Sequence, residues 1–69
     1  MSGPGHAAVE AFQPAAEKGN PTAMYIIGKA YWNGNGINQD KVQGADYLKN
    51  AARYNHPKAK EMCIANKII

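Results

Sequence analysis

The segment Ala15-Ala16-Glu17-Lys18-Gly19-Asn20-Pro21-Thr22-Ala23 returns 36 residues later as Ala51-Ala52-Arg53-Tyr54-Asn55-His56-Pro57-Lys58-Ala59. Each copy reads as the end of one helix, a tight break and the start of another. Gly19 suits the left-handed residue that closes a helix, Asn20 suits a cap, and Pro21 suits a first turn. In the second copy Asn55, the next best left-handed residue, stands for the glycine, and Pro57 again opens a helix. A fixed period in the thirties that joins helix to helix marks a helical repeat array. The joints therefore predict an all-α chain of about four short antiparallel helices.

The first helix is expected from His6 to Lys18, with Ala8, Ala11 or Phe12, Ala15 and Ala16 as its apolar stripe. Pro14 inside it removes a backbone hydrogen bond at a cost of roughly 3 kcal/mol, so a kinked but continuous helix is expected. The Gly- and Pro-rich residues 1–5 are expected to be disordered. The second helix, Pro21 to Asn33, is apolar on nearly every side and calls for contact on several faces. Its interior Gly28 costs about 1 kcal/mol relative to alanine, a loss that close approach of a neighbouring helix would offset. A loop from Asn33 to Asp40 follows, with Ile37 expected to plug back into the core. Asp40 is the cap candidate for a third helix running to about Tyr54, with Gly44, Tyr47 or Leu48, Ala51 and Ala52 inward. The fourth is expected from Pro57 to about Lys67, with Ala59, Met62, Cys63 and Asn66 inward.

Set out in order, Ala23, Ile27-Gly28, Tyr31, Gly34-Asn35-Gly36-Ile37, Asp40, Gly44, Ala51-Ala52 and Asn55 form a pattern. It resembles the Sel-one-like repeat, a branch of the tetratricopeptide-like helical repeats. The resemblance implies an α/α solenoid fragment over residues 6–69. One full unit would span 20–55, a preceding helix B 6–19 and a following helix A 56–69. The chain departs from the family pattern at Gly44, where alanine is usual, and at Asn55, where glycine is usual. Gly44 would loosen the third helix. Family members act as adaptors and scaffolds that bind proteins, and the motif includes no catalytic residues.

A chain of 69 residues is one small domain or part of a larger one, with a thin core. Its single cysteine, Cys63, rules out an internal disulfide, and with His6 and His56 it makes no structural zinc pattern. Tight helix packing or self-association must then supply stability. The net charge is +3, with lysines scattered along the chain rather than set in the stripe a nucleic-acid footprint needs. No apolar run reaches membrane-spanning length, and no secretory signal is visible, which favours a cytoplasmic location.

The candidate chemistry is thin. Gly34-Asn35-Gly36 lacks the third glycine and the preceding strand of a phosphate cradle, and reads better as a turn. Asn33, Asn35, Asn38 and Asp40 hold one carboxylate where a calcium loop draws on several. His56 and Cys63 lie two helical turns apart, about 10 Å, too far for a nucleophile and its base. Cys63 reads instead as a buried small apolar residue. Tyr25, Tyr31, Trp32, Tyr47 and Tyr54 could stack on bases, but at helical spacing they read as core. Neither a cofactor, a metal nor an enzymatic activity is expected.

Ile26 stands where the family is usually polar, and Met62 is its repeat mate. In tetratricopeptide-like arrays helix A lines the inner groove, which would place Ile26, Lys29 and Asn33 on one line continued by Met62, Ala65 and Ile69. The expected function is a protein-interaction module binding a protein or peptide there, anchored by Ile26, Lys29, Trp32 and Met62. The alternative is a self-assembling structural unit, a homodimer by end docking or by exchange of the fourth helix.

Overall fold

The computed structural model describes residues 4–68. Four helices follow in order: α1 Pro4–Glu17, α2 Pro21–Asn33, α3 Lys41–Arg53 and α4 Pro57–Ala65. The described residues contain no strand. Each helix packs on the next, and the connections 18–20, 34–40 and 54–56 are short, so each helix turns back along its predecessor. Further contacts tie alternate helices. Gln13 Nε2 of α1 donates to Tyr47 Oη of α3 at 3.0 Å, and Tyr25 of α2 stacks on His56, which caps α4, at 4.7 Å.

The two joints repeat bond for bond. Gly19 and Asn55 both take positive φ, 91° and 67°. The N–H of Asn20 donates to Ala15 O at 3.0 Å, and that of His56 to Ala51 O at 3.1 Å. One residue earlier, Gly19 N–H bonds Ala16 O and Asn55 N–H bonds Ala52 O. This pair of bonds closes a helix end by using its orphan carbonyls. The next helix then opens in the same way. Asn20 (φ −74°, ψ 112°) and His56 (φ −74°, ψ 114°) have nearly one backbone conformation. Asn20 Oδ1 accepts from Ala23 N–H at 3.1 Å, and His56 Nδ1 accepts from Ala59 N–H at 3.2 Å. An imidazole thus does the work of a carboxamide cap.

The core is made largely of small residues. Ala16, Ala23, Ala51, Ala52 and Ala59 are buried, with Ile27, Leu48 and Cys63 fully enclosed among them. Repeat mates share their burial: Ala16 with Ala52, Ala23 with Ala59, and Ile27 with Cys63. Small side chains bring helix axes close, and at two glycines α2 and α3 nearly touch. A Cβ on Gly28 would meet Leu48 Cγ at 2.9 Å and Leu48 N at 3.0 Å. A Cβ on Gly44 would lie 2.7 Å from the backbone nitrogen of Trp32. The expectation of a close approach at Gly28 holds. The reading of Gly44 as a loosening residue does not, because the α2 backbone occupies the space a side chain there would need.

Other sequence expectations need correction. The first helix begins at Pro4, not His6, because a proline suits a first turn; residues 1–3 lie outside the described residues. It runs unbroken past Pro14 and ends at Glu17. Its inward positions are Val9, Ala15 and Ala16, whereas Ala11 and Phe12 are exposed. The fourth helix stops at Ala65 rather than Lys67, since Lys67 takes a left-handed φ of 57° and Ile68 N–H folds back to Cys63 O at 2.8 Å. Asn66 is exposed rather than inward, its Nδ2 donating to Met62 O. Ile37 is half-buried and is not among the residues packed on the core. Gln39 holds that loop instead, its Nε2 donating to Trp32 O at 2.8 Å, while Asp40 N–H bonds Tyr31 O at 2.9 Å.

Candidate functional site

The described surface holds a shallow, open groove of about 510 Å³ lined by Tyr25 of α2 and by Lys58, Glu61, Met62, Ala65 and Asn66 at and beyond α4. Its existence follows from the second joint. His56 caps α4 through Nδ1 and lays the face of its ring on Tyr25 with 20° between planes. That stack fixes the start of α4 against the middle of α2. Residues one turn apart along α4 then face the same side: Lys58, Glu61 or Met62, and Ala65. Met62 and Tyr25 are half-buried and packed on the core, so the groove floor is continuous with it.

The expected site residues do not form one surface. Met62 lies in the groove. Lys29 is exposed at its side, Nζ standing 5.2 Å from the centre of the Tyr25 ring. Ile26 is half-buried and outside the groove lining. Trp32 sits at the far end of α2, where it packs on the core and its ring faces Lys41 Nζ at 5.0 Å. Of the remaining line, Ala65 lines the groove, Asn33 is exposed, and Ile69 lies outside the described residues. The groove-lining residues missed from sequence are Tyr25, Lys58, Glu61 and Asn66. Tyr25 and Glu61 are repeat mates, so the period could have identified both once one was placed.

His56 and Cys63 do not act on each other. The imidazole is engaged by the Ala59 N–H and the Tyr25 ring. Cys63 is fully enclosed, and burial pushes its thiol above the ordinary 9.0 while Lys49 draws it partly back. It therefore stays a neutral thiol at pH 7. The one loop carboxylate, Asp40, is committed to capping α3: Oδ1 accepts from Gln43 N–H at 3.1 Å, and Oδ2 from Gln43 Nε2 at 3.3 Å. These bonds, the backbone one first, hold its carboxyl below the ordinary 3.8. Among the described residues no three His, Cys, Asp or Glu side chains cluster as metal ligands, and no helix is long and apolar enough to cross a membrane.

In comparison with known proteins, no family model, curated protein or solved structure matches this chain.

Proposed function

We propose that this chain is a non-catalytic protein-interaction module, a tetratricopeptide-like solenoid fragment of the Sel-one-like repeat type, that binds a protein or peptide in the groove between α2 and α4. The observation that carries the reading is the identical bonding of the two joints, 36 residues apart. Identical joints relate α1 to α3 and α2 to α4, which is how a repeat array grows. The groove is open rather than enclosed, as suits an extended or helical peptide more than a small molecule. The anchors are Tyr25 and Met62 on the floor with Lys29 at the side; Ile26 and Trp32 belong to other faces.

Selection from a random displayed peptide library, followed by amide shift mapping with an enriched peptide, tests this. Shifts centred on Tyr25, Met62, Ala65 and Asn66, abolished by Ala65→Arg, are expected. Shifts centred on Ile26 or Trp32, or no enrichment at all, would overturn the groove reading.

A second reading, self-assembly, is favoured by one observation. Ile64 is 72 % exposed at the repeat position where Gly28 packs against α3. Light scattering at increasing concentration tests it: a dimer lost on Ile64→Lys is expected on that reading, and a monomer throughout removes it.

A further inference from the structure

The charge of this chain is divided by helix. Lys18, Lys41, Lys49 and Arg53 on and beside α1 and α3 are balanced by Glu10, Glu17, Asp40 and Asp46. Lys29, Lys58, Lys60 and Lys67 on α2, α4 and the turn after α4 face Glu61 alone. The whole net charge of +3 therefore belongs to the two helices that build the groove together with the turn after α4. Lys58 lines the groove directly, and Lys29 stands over the Tyr25 ring. Tyr25, Met62 and Ala65 supply the apolar part of the groove's lining.

Resting on the groove reading above, we propose that the occupant is an acidic peptide segment carrying one large apolar side chain. The apolar side chain lies on Tyr25 and Met62. Carboxylates before and after it meet Lys29 and Lys58, and the surrounding excess of lysine steers encounter. Glu61 has a defined part: it opposes the segment's charge and sets which register the carboxylates can take. It also weighs against a nucleic-acid strand, because a phosphate brought beside it would be repelled. Tyr25 presents one face to His56 already, so it is not a stacking platform open on both sides.

The peptides enriched in the selection described above provide the test, with binding to the intact chain read by fluorescence anisotropy. Enriched sequences should be acidic around one aromatic or aliphatic residue, and affinity should fall as salt rises. Lys58→Glu should weaken binding by about tenfold, since it reverses a rim charge, and Glu61→Gln should tighten it by about threefold, since it only removes one. Lys18→Glu, with the same change in net charge away from the groove, should leave affinity unchanged. Circular dichroism confirms that the variants are folded. Neutral or basic peptides that map to the groove would overturn the acidic occupant while leaving the groove reading intact. Peptides that map elsewhere would overturn both. Tighter binding of a single-stranded oligothymidylate, weakened by Lys58→Glu, would assign the surface to nucleic acid and overturn the proposal.

Discussion

Gly44 faces Gly28 across the α2–α3 crossing, so closely that a methyl group on Gly44 would lie 3.0 Å from the Gly28 carbonyl oxygen. The same methyl would be 2.7 Å from Trp32 N, and both obstacles are backbone. Helix propensity alone says that Gly44→Ala should gain about 1 kcal/mol. Overpacking against an immovable backbone costs about 1–3 kcal/mol and wins. We expect Gly44→Ala to lower stability in urea melts. Gly28→Ala should lower it as well, because Leu48 N and Tyr47 Cβ, both at 3.0 Å, cannot rotate away. Ile64→Ala, at the repeat mate of Gly28, should stay within about 0.5 kcal/mol of the parent because it is surface. A stabilised Gly44→Ala would mean that α2 and α3 stand further apart than a 2.7 Å approach to Trp32 N requires.

His56 combines a cap with an aromatic stack, and substitution separates the two. His56→Asn restores the residue type found at Asn20, whose backbone is nearly identical. It should keep the cap and lose only the stack on Tyr25. His56→Ala should lose both, with the cap contributing about 1 kcal/mol. Hydrogen exchange at the Ala59 amide checks this: faster in His56→Ala, near parental in His56→Asn. Equal exchange in both variants would show that the imidazole does not cap α4.

Lys67 holds a left-handed conformation that β-carbon crowding disfavours by about 1 kcal/mol. Lys67→Gly should therefore slow exchange at Ile68, whose N–H closes the helix on Cys63 O. The opposite result would place Lys67 in an ordinary right-handed turn.

Asp40 should give the chain part of its acid sensitivity. Its carboxyl is lowered in the folded state by the Gln43 backbone N–H, so its contribution is complete above 3.8, the unfolded value. It is lost as pH falls from there through the lower folded value. Asp40→Asn can still cap but cannot titrate. It should flatten the stability profile below pH 3.8 while leaving neutral stability nearly unchanged. An unaltered acid limb in this variant would remove Asp40 from the account of acid unfolding.

The joints were legible because chain chemistry there is local. A left-handed residue, a cap and a proline announce a turn wherever they stand in that order, and Gly19-Asn20-Pro21 and Asn55-His56-Pro57 do so twice. The close approach at Gly28 was legible because an interior glycine in an apolar helix calls for a reason. Gly44 misled because propensity describes a helix alone, whereas its neighbour Trp32 comes from another helix. The groove was half legible for the same reason. The period paired Ile26 with Met62, but which side of α2 faces α4 is set by the Tyr25–His56 stack, a contact across 31 positions that no local pattern encodes. Tyr25 therefore replaces Ile26 at the groove, and Trp32 falls on another face.

That stack is also where the repeat, the groove and the proposed binding role meet. Two-dimensional nuclear Overhauser spectroscopy on the unliganded chain reads it directly. Cross-peaks between the ring protons of Tyr25 and His56 are expected, since ring centres 4.7 Å apart bring protons within range. A folded chain with no such cross-peaks, and with Tyr25 instead in contact with α3, would remove the contact between α2 and the start of α4 and leave the groove without a wall.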